Sequence, residues 1–401
     1  MTQSAAALSS ARSRRRSSKI GRPSGATWRW LALATIVGVA LTSGDTARVV
    51  LESMSEAYLA VTVFVAGTLA LLYSLEAGFR ADIGLLLARH RNWQVPVAAL
   101  LGAFPGCGGA IVAVTQYSRG YLSFGGLVAT LTATMGDAMF LLLAKEPATG
   151  AMILLLSVAI GTVSGYVIDA IHGGDFLRAA TPTPEKRSCE TAAPDKDGRP
   201  YRVLRFAWLL LIVPGMAIGL LAAFQIETDG LFGPLAGLEP SLWIGVIGAA
   251  VALAMWARDG SPSLGNDTAA CRARQRGSLT RVIGDTNFIT SWVVFAFLAY
   301  ELTVHLSGFD LGAFFQLWGP LVPLMAVAVG LLPGCGPQIV VTSLYLTGSL
   351  PLSAQIGNAI SNDGDALFPA IALAPKAALV ATLYSTIPAL IVAYGTYALW
   401  E

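Results

Sequence analysis

Pro105-Gly106-Cys107-Gly108 and Pro333-Gly334-Cys335-Gly336 are the same four residues in the same order, each set inside an apolar segment. Adding 228 to the first set of numbers gives the second, and the match continues without a gap. Ile111-Val112 falls on Ile339-Val340, Tyr117 on Tyr345, Gly120 on Gly348 and Leu122 on Leu350. Gly136-Asp137-Ala138 falls on Gly364-Asp365-Ala366, Phe140 on Phe368 and Pro147 on Pro375. Upstream, Val95-Pro96 and Val322-Pro323 align once one residue is gapped. Apolar composition matches Leu to Leu by accident; it does not match Pro, Gly, Cys and Asp in fixed order. The chain is an internal duplication.

Composition says where the duplicated unit lives. Of 401 residues, 55% are hydrophobic and only 12% charged, against about 25% charged in a soluble protein. The charges gather in a few polar stretches between long apolar runs, so the net charge of +2 carries little information. The reading is an all-α polytopic membrane protein. No GxxxxGK[ST] phosphate loop and no HExxH metal motif occurs, and no polar stretch is long enough for a nucleotide-binding domain. The chain is not its own ATPase, and no enzymatic site or resident cofactor is expected. Of the four cysteines, Cys189 and Cys271 lie in polar loops, while Cys107 and Cys335 occupy matched apolar positions. That is no disulfide framework; paired thiols at membrane depth suit ligands, redox groups or small packing residues.

A spanning helix needs about 20 mostly apolar residues. The candidates are 28–44, 57–78, 121–144, 148–171, 204–224, 240–257, 287–306, 353–374 and 376–399. Residues 1–27 are Ser-rich and basic and read as a disordered cytoplasmic tail. Lys and Arg mark cytoplasmic loops. They enrich the tail and the loops 79–94, 173–203 and 258–286, whereas 225–239 and 307–314 contain none. The 45–56 loop, with Arg48 against Asp45, Glu52 and Glu56, also reads as outside. Equivalent loops then fall on opposite sides in the two halves, which is the inverted-repeat pattern of many secondary transporters. The organisation expected is a first membrane repeat over 28–172, a cytoplasmic loop over 173–203, a linking helix over 204–224 and a second repeat over 240–400.

Parity constrains the motif segments 94–119 and 312–346. About ten apolar residues flank each Pro-Gly-Cys-Gly string, too few to span at about 1.5 Å per residue. Two half-helices meeting at a Gly/Pro turn are expected, either as re-entrant hairpins or as broken spanning helices, with Cys107 and Cys335 near the bends. Unwound backbone in a membrane must be buried in protein or line a watery cavity, and a substrate can satisfy its freed groups.

Gly-Asp-Ala is the second shared element. Asp137 and Asp365 fall within apolar stretches read as helices, where a carboxylate is costly and is a functional candidate by default. The second half adds Asn358, Asn362, Asp363 and, beside its cysteine, Gln338. Thiolates favour soft ions; carboxylate, amide and carbonyl oxygens favour Mn²⁺, Mg²⁺ or Ca²⁺. Glu76, Glu301 and the three histidines His90, His172 and His305 fall near span ends and show no ligand spacing.

The paired Cys107 and Cys335 strings, each followed about thirty residues on by Gly-Asp-Ala, resemble a bacterial family of ten-span heavy-metal exporters, often labelled arsenic-efflux or manganese-transporter proteins. The likeness covers residues 28–400. The resemblance implies an inner-membrane permease that moves a metal or metalloid ion out of the cell. Counting apolar stretches gives nine spans plus two hairpins rather than a plain ten.

The function expected is secondary-active export of Mn, another heavy metal or arsenite. Cys107 and Cys335 would contact the ion and Asp137 and Asp365 would ligate it or carry protons. Asp363, Asn362, Asn358 and Gln338 are further candidates for lining the site. The N-terminus is expected in the cytoplasm and the chain in the inner (plasma) membrane. Its partners are the ion and the lipid bilayer, with no nucleic acid; a homo-oligomer is left open. Two other readings stand beside this one: a thiol–disulfide electron carrier cycling Cys107 and Cys335, and a permease for an organic solute.

Overall fold

The computed structural model describes residues 25–40, 44–79, 89–104, 106, 108–177, 199–224, 226–259, 278–307 and 319–401. Pro105, Cys107, Cys189, Cys271, the side chain of Glu76, the tail before residue 25 and most of the loops 79–94, 173–203 and 258–286 lie outside the described residues. Among the described residues all regular structure is helical. Six helical runs are long and apolar enough to cross a bilayer: Asp45–Ser74, Pro147–His172, Arg202–Ala223, Pro240–Arg258, Ser278–Thr303 and Pro375–Trp400.

In chain order the helices are α1 (Gly25–Ala40), α2 (Asp45–Glu56), α3 (Val63–Phe79), α4 (Arg91–Ala103), α5 (Gly108–Ser118), α6 (Phe124–Ala133), α7 (Ala138–Lys145) and α8 (Pro147–His172). They continue as α9 (Arg199–Ala223), α10 (Pro240–Asp259), α11 (Ser278–Ser307), α12 (Val322–Gly330), α13 (Gly336–Leu346), α14 (Leu352–Ser361), α15 (Leu367–Leu373) and α16 (Pro375–Trp400). A π-helical turn, Ala57–Thr62, joins α2 to α3.

The helices are inside out relative to a soluble protein. On α16, Leu379, Leu383, Ile387 and Ile391 are exposed at every fourth position, while Ala377, Ala381, Ser385, Ala389 and Ala393 are buried at every fourth position. Four-residue spacing puts each set on one face. An exposed apolar stripe with small residues inside is what lipid contact and close helix packing require. At 26 residues, α8 and α16 are about 39 Å long, enough to cross a core about 30 Å thick.

Two expected spans are not continuous. Residues 121–144 divide into α6 and α7, bent by 44°, and 353–374 divide into α14, a 3₁₀ turn Gly364–Ala366 and α15. Gly136 and Gly364 stand at the breaks with φ of +52° and +54°, a left-handed conformation that an L side chain resists. Asp137 and Asp365 therefore lie at interruptions, not inside regular helix as their apolar surroundings suggested. A hydropathy count registers composition and is blind to backbone sign.

Other boundaries also shift. Residues 45–56, read as a loop, form α2 and run on into a span. Helix α11 begins at Ser278, inside the stretch read as loop 258–286, and α9 begins at Arg199, inside 173–203. In α11 the polar Asp285, Thr286 and Asn287 are buried against other helices, so low apolar content there does not mean solvent.

The motif segments form short helices on either side of each string: α4 and α5 around 104–107, and α12 and α13 around 331–335. Both α5 and α13 have 11 residues, about 16 Å, half a membrane. The helix starts recur at the 228 offset, for α5 and α13, α6 and α14, and α8 and α16. So does packing: α6 lies on α4 and α8, and α14 lies on α12 and α16. Thr130 Oγ1 donates to the Ala98 carbonyl at 3.0 Å, and its counterpart Asn358 Nδ2 donates to the Ala326 carbonyl at 2.9 Å.

Between the halves the packing is reciprocal. Helix α5 packs on α15, and α13 packs on α7, so each half's motif helix meets the helix that follows the other half's break. Thr62 and Thr290, another 228-offset pair, join hydroxyl to hydroxyl at 2.9 Å.

Close approach of α6 and α8 depends on small residues. A Cβ on Gly165 would lie 2.5 Å from the Gly125 carbonyl and 2.6 Å from Val95, whereas one on Gly395 meets nothing within 4 Å. Gly165→Val is expected to destabilise the protein by about 1–3 kcal/mol, and Gly395→Ala to leave it unchanged. Thermal unfolding in detergent measures both.

Candidate functional site

The cluster at the centre follows from the reciprocal packing. Asp137 precedes α7, Cys335 precedes α13 and Asp365 sits in the turn before α15. Because α13 lies against α7 and the Gly364–Ala366 turn lies against α5, residues far apart in sequence converge. One ligand atom each from Asp137, Cys335 and Asp365 lies within 4.8 Å of the others, and all three residues are buried. Cys335 Sγ donates to Asp365 Oδ2 at 3.0 Å. Asp137 Oδ1 is buried and has no hydrogen-bond partner among the described residues. The two breaks are themselves adjacent, since a Cβ on Gly364 would come within 3.7 Å of Thr134.

Each motif places a glycine beside one carboxylate. A Cβ added at Gly106 would lie 3.4 Å from the Phe140 ring and 3.9 Å from Asp137 Oδ1. One added at Gly334 would lie 3.7 Å from the Phe297 ring and 3.9 Å from Asp365 Oδ1. The glycines thus form matching cradles, one per half, walled by Phe140 and by the Phe297–Phe368 pair. A Cβ would meet each carboxylate at ordinary contact distance; it is φ of +87° at Gly106 and +117° at Gly334 that favours glycine.

The remaining candidates are placed differently. Asn362 Nδ2 donates to Gln338 Oε1 at 2.5 Å, and Asn362 Oδ1 accepts from the Gly364 amide at 3.0 Å. Together they tie α13 to the turn that carries Asp365. Asn358 links α14 to α12. The carboxylate of Asp363 turns to α16, where it accepts from Thr382 Oγ1 and, at 3.5 Å, from Ser385 Oγ. Cys107 lies outside the described residues. His172 is exposed, bonded to Tyr384 at 2.6 Å and stacked on Phe176; His90 and His305 are exposed as well.

A second buried polar group was not anticipated. Asp285 Oδ2 accepts from Tyr73 Oη at 2.7 Å, Arg119 Nη2 donates to the same Tyr73 oxygen at 3.1 Å, and the Arg281 guanidinium lies 3.8 Å over the Tyr73 ring. It joins α3 and the end of α5 to α11, and so bridges the halves. Asp285 stood at the edge of a stretch read as loop. The signal available was its position one turn after Arg281, at the spacing of a helix face.

A cluster of two carboxylates and a thiol, with charge and sulfur in a dry setting, can hold a cation.

No curated protein and no solved structure matches the chain. A family model described as "Putative, 10TM heavy-metal exporter" matches residues 45–400. The match takes in both Pro-Gly-Cys-Gly strings, both Gly-Asp-Ala elements and the six long apolar helices, and begins after α1 and not at residue 28; the chain belongs to this family of membrane heavy-metal exporters.

Proposed function

We propose that the protein is a secondary-active transporter that exports a metal or metalloid ion, bound between two inverted repeats by Asp137, Cys335 and Asp365. One observation carries the reading: three metal-competent side chains, drawn from both halves, meet within 4.8 Å in a buried position. Ionisable groups at membrane depth are retained where they bind or move ions, and helices broken at mid-membrane are the usual site geometry of repeat-built transporters.

The recurrence of helix starts at the 228 offset and the reciprocal packing of α5 on α15 and α13 on α7 support two equivalent halves that rock about a shared site. The short α4–α5 and α12–α13 pairs support half-helices that enter and leave the membrane on one side. No phosphate-binding loop occurs in the chain, so a proton or ion gradient supplies the driving force. The arginine-rich tail and loops support an inner-membrane protein with its N-terminus in the cytoplasm. Cys107, the counterpart of Cys335 in the sequence, lies outside the described residues and is not counted in this ligand set. Asn362 and Gln338 hold the Asp365 turn in place, and Asp363 and Asn358 brace α14 against α16 and α12.

Cells expressing the protein should tolerate at least one ion of a panel of Mn²⁺, Zn²⁺, Cd²⁺ and arsenite better than cells without it. Asp137→Asn or Asp365→Asn should abolish that tolerance with membrane levels unchanged. Equal accumulation of every ion in all strains would defeat the proposal. Asn362→Ala should behave differently. It leaves Gln338 Oε1 and the Gly364 amide buried without partners, at about 1–3 kcal/mol each, and should lower the melting temperature in detergent. An Asp365→Asn protein should melt close to wild type.

A further inference from the structure

We infer that the Asp137–Cys335–Asp365 site takes a single divalent cation of borderline softness per chain, of the Mn²⁺, Zn²⁺ or Cd²⁺ class, and does not take a trivalent metalloid. The inference rests on the transporter reading and narrows its substrate.

Charge is the first argument. Two carboxylates buried together repel, and isolated anions are costly away from water. A dication between them balances both charges. Neutral arsenite balances neither, and trivalent arsenic binds through thiolate sulfurs, whereas among the described residues the cluster supplies one sulfur to two carboxylates. The mixture excludes the extremes of the hard–soft range. Sulfur adds affinity for zinc and cadmium, and carboxylate oxygens suit manganese.

Distance is the second. Two donors on one ion are separated by at most twice the metal–ligand distance, about 4–5 Å for bonds of about 2.0–2.5 Å. The three donors of the cluster fall within 4.8 Å of one another, at the upper end of that range, so a small inward movement of the side chains brings them onto one ion. The buried Asp137 Oδ1, which lacks a partner among the described residues, is the acceptor such an ion would satisfy.

Symmetry sets the stoichiometry. Asp137 and Asp365 are counterparts at the 228 offset, yet they serve one cluster and not two. Among the described residues each half contributes one carboxylate to that one cluster.

The test uses the purified full chain in detergent with Cd²⁺, Mn²⁺ and sodium arsenite as separate probes in equilibrium dialysis. Wild type should bind one Cd²⁺, with an ultraviolet sulfur-to-cadmium charge-transfer band, and Mn²⁺ at the same site in competition. Asp137→Asn and Asp365→Asn should each weaken both cations by about tenfold or more, equivalent to about 1.4 kcal/mol. Cys335→Ser should remove the band and weaken Cd²⁺ far more than Mn²⁺. Asp137→Glu, which keeps the carboxylate, should retain one Cd²⁺ per chain and so shows that loss in the Asn variant is not misfolding.

Saturable arsenite binding that survives both Asn substitutions, two Cd²⁺ per chain with one lost in each Asp variant, or no saturable Cd²⁺ or Mn²⁺ binding would each overturn the inference. Vesicle assays separate it from the broader reading. Arsenite transport without dication transport leaves the transporter standing and ends this inference. Stoichiometric dication binding without transport of any ion does the reverse.

Discussion

A carboxylate buried at membrane depth needs a partner, and a helix broken there leaves backbone groups that need one too. Lipid supplies neither. Both demands are met in one place. The chain breaks at Gly136 and Gly364, the residue after each break is an aspartate, and the two breaks lie against each other between the halves. Cys335 donates to Asp365 and the Asn362 side chain takes up the Gly364 amide. The bilayer forces this concentration of polarity, because the same groups spread along lipid-facing helices would each be unsatisfied.

The surrounding architecture serves that centre. Long helices such as α8 and α16 turn leucine and isoleucine outward and alanine, glycine and serine inward. Small inward faces let α6 and α14 sit close to them, and hold the broken helices without large core side chains between. Carboxylates near the ends of the long helices stitch the start of the broken ones: Asp169 accepts from Ser123 Oγ and the Gly125 amide, and Glu401 accepts from the Ser353 amide and Oγ. Gly125 and Ser353 are counterparts at the 228 offset, so each half anchors its broken helix in the same way by a different acid. The Tyr73–Asp285–Arg119–Arg281 group is a separate joint between α3, α5 and α11, held by charge where the small-residue contacts are held by shape.

Much was legible before any coordinates, because duplication leaves its signature in residue order. Rare residues in register, Pro105 with Pro333, Cys107 with Cys335 and Asp137 with Asp365, are independent of the apolar background that obscures most membrane sequences. Composition identified the solvent as lipid for equally direct reasons. Where reading by hydropathy failed, it failed because it cannot distinguish polar residues facing protein from polar residues facing water. Asp285 and Thr286 read as loop and are buried helix; residues 45–56 read as loop and are helix; 121–144 and 353–374 read as spans and are broken at glycines with positive φ.

The sequence by itself determined that the chain is doubled, helical and membrane-embedded, and which thiols and carboxylates recur in its two halves, since those facts follow from residue identity and spacing. Only the tertiary structure decided which of them meet. Asp137 joins Cys335 and Asp365 because α13 packs on α7 and the Gly364–Ala366 turn packs on α5, while Asp363, two residues from Asp365, turns to Thr382 and Ser385 on α16. Contacts between elements 200 residues apart depend on how whole helices fit together, and no local pattern encodes that fit.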